Sequence, residues 1–260
     1  MNIKTSIQSA ANPQFKQLKK LAHQAKERRR LKQTLLDGTH LISALASQQQ
    51  TPSALFIKSG IDTDHQDIRN CFALYPDVTV TEISATLFDQ ISPVETPTGL
   101  LALYDIPEVP QQNYQFGILL ERIQDPGNLG AILRTVAAAG AESVFLSKEC
   151  VDAWAPKTLR AGMGAHFVLD IHENTDLARI AGQFSNIIAT SLQAKRNLFE
   201  LDLTTSLAFI FGNEGAGLSP EAQAIATQTV KIPMPGAVES LNVAAAAAVC
   251  AFERVRQLNQ

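Results

Sequence analysis

Three short clusters hold the residues whose types and spacing can do chemistry. The first is Glu121-RIQDPGNLGAILR-Thr135, directly after an apolar run. Asp125-Pro-Gly-Asn128 is a strong turn signal. Asn128 is the expected cap of a helix that carries Ile132 and Leu133 inward, and Arg134 is expected to project from the same region. A guanidinium there, always protonated and able to make paired hydrogen bonds, suits a phosphate or an emerging oxyanion. A turn, a cap and a surface arginine would read the same way, so this cluster alone leaves both readings open.

The second cluster is Phe209-IFGNEGAGLS-Pro220, an apolar run leading into Gly212, Gly215 and Gly217. Glycines let backbone approach a ligand and expose N–H groups. Glu214 in their midst would repel phosphates and suits a cationic or polar partner. The spacing is neither GxGxxG nor GxxxxGK[ST], so a dinucleotide fingerprint and a P-loop are both unmet. The third cluster, Lys231-IPMPGAVESLN-Val243, is a stiff loop leading into an alanine-rich helix, with Ser240 as its expected N-cap. The five histidines (His23, His40, His65, His166, His172) lie in none of the three clusters, which argues against hydrolysis with a histidine base. Cys71, Cys150 and Cys250 form no metal-ligand spacing, so no metal is expected, and they suit reduced thiols in a cytoplasmic protein.

The surrounding elements are expected to position these clusters. After residue 115 the pattern alternates. Strands are predicted at Phe116–Leu120, Ser143–Leu146, Phe167–Ile171, Asn186–Thr190, Ser206–Phe211 and Val230–Ile232. Helices are predicted at Gly130–Ala139, Pro156–Met163, Asp176–Phe184, Pro220–Ala226 and Leu241–Leu258. Such alternation implies a parallel α/β sheet with ligands outside the carboxyl ends of its strands. The loops after Leu120, Thr190, Phe211 and Ile232 are therefore the expected site. Residues 1–105 read as a small α/β unit. It has a helix over Asn12–Leu36, another over His40–Ser47, and strands at Ala54–Lys58, Val78–Ile83 and Gly99–Tyr104. The proline-containing stretch 106–114 reads as a linker.

The 260 residues are 45% hydrophobic and 18% charged, a globular composition. No run of 18 apolar residues exists to span a membrane. The net charge of −3 hides an asymmetry: residues 1–32 hold nine Lys or Arg and a single acid, Glu27. Such a basic segment suits an anionic partner, and a solvated helix face is the plainer alternative.

With the three clusters in order, the sequence resembles the SpoU (TrmH) family of RNA ribose methyltransferases, within the SPOUT superfamily. The resemblance rests on NLGAILR at 128–134, FGNEGAGLS at 211–219 and IPMPGAVESLNVAAAAAV at 232–249. Pro156-KTLRAGMGAHF-Phe167 looks like the family's stretch between the first two motifs. SAANPQFKQLKKL, LLDGTHLI and TPTGLLALY resemble the family's N-terminal substrate-binding domain. The resemblance implies a methyltransferase domain at 115–260 with a deep trefoil knot, behind an RNA-binding domain at 1–105. It implies a homodimer, S-adenosylmethionine as methyl donor, and RNA as substrate, with ribosomal RNA (23S) favoured over tRNA. By carry-over, Arg134, Asn128, Glu214, Ser240 and Asn242 would form the catalytic set. Thr190, Ser191, Leu192, Gly212, Asn213, Gly217, Ile232, Met234, Ser240, Leu241, Asn242 and Ala245 would hold the cofactor. Lys16, Lys19, Lys20, Arg28, Arg29 and Arg30 are the expected RNA contacts. Asp37 stands where relatives usually have Glu, and SLQAKRNLFEL after Thr190 is poorer in glycine than the family pattern. A non-catalytic RNA-binding protein and a Rossmann-type oxidoreductase are the alternatives. The first predicts a damaged Asn128/Arg134/Asn242 set, whereas all three residues are present, and the second needs glycines spaced otherwise.

Overall fold

The computed structural model describes residues 3–92, 97–110 and 112–259. Thr96 of the TPTGLLALY stretch and Gln111 in the expected linker lie outside them. The chain folds into two compact units: Met1–Glu108 with Trp154–Phe167, and Val109–Ala153 with Val168–Gln260.

The first unit begins β1 (Ile3–Ile7), α1 (Pro13–His23), α2 (Ala25–Leu31), β2 (Gln33–Asp37) and α3 (Thr39–Ser47). It continues with β3 (Ala54–Lys58), α4 (Gln66–Leu74), β4 (Val80–Ile83), α5 (Ala85–Phe88) and β5 (Leu100–Asp105). The sheet order is β1-β4-β3-β5-β2, with β5 antiparallel to both of its neighbours. Asn12 caps α1 by accepting from the N–H groups of Gln14 and Phe15, and Pro13 opens the helix. Phe15, Leu18 and Leu21 form its buried stripe against Leu35, Phe56 and Phe88. Each such side chain contributes about 1.5–3 kcal/mol when fully buried.

The single helix expected over Asn12–Leu36 is corrected. The chain breaks to extended backbone at Gln24, turns left-handed at Lys32 (φ 51°), and enters β2. Leu35 and Leu36 pair with Leu103 and Ala102 of β5, and this distant partner overrides the helical periodicity. Strand β1 and helices α4 and α5 have no counterpart in the elements expected from sequence.

The second unit runs β6 (Phe116–Leu120), α6 (Pro126–Ala138) and β7 (Ser143–Leu146). The chain then passes α7 (Pro156–Gly162), which belongs to the first unit. It continues with β8 (Asp170–His172), α8 (Leu177–Ala181), β9 (Asn186–Thr190), β10 (Arg196–Asn197), β11 (Leu207–Phe211), α9 (Pro220–Ala224), β12 (Gln228–Lys231) and α10 (Val243–Leu258). All seven strands are parallel, in the order β10-β12-β9-β11-β6-β7-β8. The central strands β6 and β11 are buried along their whole length, as a sheet covered on both faces requires. The strand expected at Phe167–Ile171 is shifted: Ala165–Phe167 is a 3₁₀ turn and pairing begins at Asp170. Helix α10 packs on α6. Its Ala244, Ala247 and Ala251 are buried, while Phe252 and Leu258 on the same helix are exposed.

Candidate functional site

Three loops at the carboxyl ends of β6, β11 and β12 meet through side-chain amides and one carboxylate. Asn242 donates from Nδ2 to Asn128 Oδ1 at 2.9 Å. Asn128 donates from Nδ2 to Glu214 Oε1 at 3.1 Å. The Glu214 carboxylate also accepts the backbone N–H groups of Asp125 (3.3 Å) and Gln124 (3.5 Å). Residues 86 and 114 positions apart are thereby joined in one chain of hydrogen bonds.

Two expected caps are corrected. Helix α6 starts at Pro126, and its cap is Asp125, which accepts from Asn128 N–H at 2.7 Å. Asn128 thus sits inside the first turn, which frees its amide for the network. Helix α10 starts at Val243 and is capped by Asn242, which accepts from Ala244 and Ala245. Ser240 lies two residues before that cap and is exposed. Asn242→Ala removes both the cap and the partner of Asn128. The expected loss is about 1–2 kcal/mol, read as a shift in urea midpoint. An unchanged midpoint would show the cap to be dispensable.

Glu214 is expected from sequence to face a cationic or polar partner. Its partners in the structure are neutral donors of its own chain. Partial burial opposes its ionisation, but hydrogen bonds from its own N–H, Asn128, Asp125 and Gln124 outweigh this and hold its pKa below the ordinary 4.5. A lowered carboxyl pKa contributes stability above the ordinary value, and that contribution is lost as pH falls through the lowered one. The tie between the Glu214 loop and the 124–128 loop therefore loosens in acid and is complete at neutral pH.

The loop after β11 is closed on itself. Asn213 and Gly217 exchange two backbone hydrogen bonds, 3.1 and 2.9 Å long. Asn213 Oδ1 accepts from Gly215 and Ala216, and its Nδ2 donates to the carbonyl of Arg122. Its side chain is thus engaged in shaping the loop. Sequence reasoning missed Glu121 and Ser219. Glu121 is buried and accepts from Ser219 N–H (2.8 Å) and Oγ (2.6 Å), so the end of β6 holds the cap of α9. An acidic residue directly after an apolar strand was the available signal.

Beside this network lies a cavity of about 160 Å³, lined by Thr190, Ser191, Leu192, Ile232, Met234, Ser240, Leu241 and Ala246. Seven of these eight are expected cofactor residues. Ala246 lines it in place of the expected Ala245, which faces out. Gly212, Asn213, Gly217 and Asn242 are not in its wall. The lining joins hydroxyls to apolar side chains and holds no ionisable group. It fits an uncharged heterocycle flanked by small polar groups, as in an adenine nucleoside.

Arg134 stands exposed on α6. Among the described residues it makes no hydrogen bond or ion pair. In the first unit, Lys16, Lys19, Lys20, Arg29 and Arg30 are exposed. Lys19 donates to Gln90, and Arg30 pairs with Glu27 at 2.7 Å. Arg28 is corrected as an RNA contact: it is 4% exposed and donates to the carbonyls of Leu21 and Ala22, closing the end of α1. Among the described residues, no group of three His, Cys, Asp or Glu side chains could hold a metal ion.

Residues 115–252 match the SpoU rRNA Methylase family, and residues 12–102 match the MRM3-like substrate binding domain. The chain is 36% identical to an uncharacterised tRNA/rRNA methyltransferase of Synechocystis, covering 97% of this chain and 94% of that protein. It is 31% identical to the 23S rRNA (guanosine(2553)-2′-O)-methyltransferase RlmP of Bacillus subtilis, over 95% and 97% of the two chains. Its fold superimposes on the SpoU methyltransferase AviRb of Streptomyces viridochromogenes, solved with AdoMet, with a TM-score of 0.85 at 25% identity, over 96% and 99% of the two chains. The motif loops that meet at Asn128, Glu214 and Asn242 lie within the matched region, and the chain belongs to the SpoU rRNA methylase family.

Proposed function

We propose that this chain is an RNA 2′-O-ribose methyltransferase that uses S-adenosylmethionine and acts on ribosomal RNA, the 23S species before tRNA. The observation that carries the reading is the convergence of the three loops in the Asn242–Asn128–Glu214 chain, beside a cavity walled by the loops after β9 and β12. The names of the Bacillus and Streptomyces relatives support the reaction and the donor.

S-adenosylmethionine, when bound, supplies an already activated methyl group on a sulfonium. The protein's task is therefore positioning. Leu192, Ile232, Met234 and Leu241 would hold the adenosine face, with Thr190, Ser191 and Ser240 for its polar edges. Asn128, held by Glu214, and Asn242, bonded to Asn128, would fix the loop edges around the ribose. A guanidinium is a poor general base, so Arg134 is assigned another task. Its role is to stabilise the developing alkoxide, or to hold the RNA phosphate that takes the proton. Lys16, Lys20 and Arg29 would grip RNA phosphates.

A homodimer and a cytoplasmic location belong to the same reading. Phe252 and Leu258, exposed on α10, support a second copy covering that helix. The trefoil knot belongs to it too, supported by the insertion of β12 between β9 and β10.

The test is transfer of labelled methyl to RNA from cells lacking this protein, mapped by cleavage that ribose methylation blocks. Label at one ribose of 23S RNA is expected. Label confined to tRNA would move the substrate, and no label with intact cofactor binding would remove the reaction.

A further inference from the structure

The segment between the cavity and β11 has the character of a nucleic-acid surface. It leaves the cavity wall at Leu192, passes Lys195 and Arg196, and forms a 3₁₀ turn at Leu198–Glu200. Phe199 on that turn is 51% exposed, whereas Leu198 beside it is fully buried. An isolated exposed aromatic is ordinary, but this one is held rigidly. Leu198 anchors the turn in the core. The Glu200 carboxylate accepts from Asn197 N–H (3.2 Å) and Nδ2 (3.0 Å), which pins the start of the turn. A rigid aromatic loses little entropy when a flat ring stacks on it.

The local charges favour an anion. Lys195 and Arg196 are both exposed. Arg196 is steadied by Gln228 Oε1 (3.2 Å) and the Glu200 carbonyl (3.1 Å). The nearby acids are engaged locally: Glu200 by Asn197, and Asp202 by Thr204 N–H (2.9 Å) and Oγ1 (2.6 Å). Among the described residues Lys195 makes no hydrogen bond or ion pair. Strand β10 also pairs Asn197 with Lys231, the last residue before Ile232 of the cavity wall. An exposed ring and two cations therefore lie on the chain segments that build the cofactor cavity.

We propose that Phe199, Lys195 and Arg196 form a second RNA contact, in the methyltransferase unit itself. Phe199 stacks on an unpaired base near the target nucleotide, and the two cations face the adjoining phosphates. Single-stranded RNA is the fitting occupant because every base offers a flat face and the backbone supplies the charge. The proposal rests on the RNA methyltransferase reading given above.

The test compares Phe199→Ala, Phe199→Trp and Lys195→Glu with the unaltered full-length chain, on an RNA fragment that the latter methylates. Phe199→Ala is expected to raise KM for RNA about tenfold with kcat and cofactor affinity unchanged, and Phe199→Trp to restore it. Lys195→Glu is expected to weaken RNA binding and flatten its salt dependence by about one unit of slope. RNA KM values for Phe199→Ala and Lys195→Glu equal to that of the unaltered chain would overturn the proposal. So would dissociation of a dimer by Phe199→Ala with RNA affinity per folded site preserved, which would make the ring a contact between copies. An unaltered chain that methylates no RNA would instead defeat the underlying reading, and cofactor binding measured in parallel separates the two failures.

Discussion

Arg134→Ala is expected to lower the rate of methyl transfer about a thousandfold while melting temperature and cofactor affinity stay near those of the unaltered protein. The structural cost is small because Arg134 is exposed on α6 and, among the described residues, makes no hydrogen bond or ion pair. Surface substitutions of this kind change stability by about 0.5 kcal/mol or less. The chemical cost is large because a preorganised donor to a developing oxyanion contributes about 10²–10³ in kcat, and more where it also holds the acceptor. Arg134→Lys separates charge from geometry. Lysine keeps the positive charge but lacks the planar fork, so it should recover only part of the rate. Single-turnover transfer to RNA, with thermal melting and calorimetric cofactor titration, reads all three quantities. A rate for Arg134→Ala within a few-fold of the unaltered enzyme would remove Arg134 from the reaction. A fall in cofactor affinity would place it in the cavity instead.

Gly212→Ala is the substitution expected to damage the fold of the site most. A Cβ on Gly212 would stand 2.3 Å from the carbonyl carbon of Gly217 and 2.4 Å from both its oxygen and the nitrogen of Leu218. Those are backbone atoms of a loop closed by two hydrogen bonds, so no side chain can swing aside. The restriction is one of space, since Gly212 has no positive φ. Overpacking typically costs about 1–3 kcal/mol, and a clash this close with a backbone peptide group lies at or above the top of that range. Opening the loop would also pull Glu214 from Asn128 and Asp125 and undo the network. Loss of transfer and a lower denaturation midpoint are expected together. Gly215→Ala is the control: its Cβ would meet only Asn213 Oδ1 at 3.7 Å, an ordinary contact. Equal midpoints for the two variants would show that the loop yields where its geometry says it cannot.

The site was legible where one residue type admits few uses. The cavity wall at Thr190, Ser191, Leu192, Ile232, Met234, Ser240 and Leu241 was named from motif resemblance, and these residues come together as one surface. The meeting of Asn128, Glu214 and Asn242 was expected only as a shared polar region. Their order in the hydrogen-bond chain could not be read, because an amide can donate or accept and its neighbours decide which. Asn213 was assigned to the cofactor, yet its side chain holds its own loop. Arg28 was grouped with the exposed cations, yet it turns inward to the carbonyls that end α1.

The sequence alone determined the parallel α/β character of the second half. Phe116–Leu120, Ser143–Leu146 and Asn186–Thr190 are strands with the bounds expected of them, because short apolar runs between turn residues have few other stable states. It also pointed to the loops after β6, β9, β11 and β12 as the place for a ligand, since ligands gather at the carboxyl ends of parallel strands, and hydrogen bonds or a shared cavity wall link these loops in the structure. Only the tertiary structure decided that Leu35 and Leu36 join a sheet, that α7 packs in the first unit, and that Asp125 and Asn242 are the caps. Each of those outcomes depends on a partner far along the chain or on a choice between adjacent polar residues. Local periodicity reports which face of a segment is apolar, and it carries no information about what covers that face.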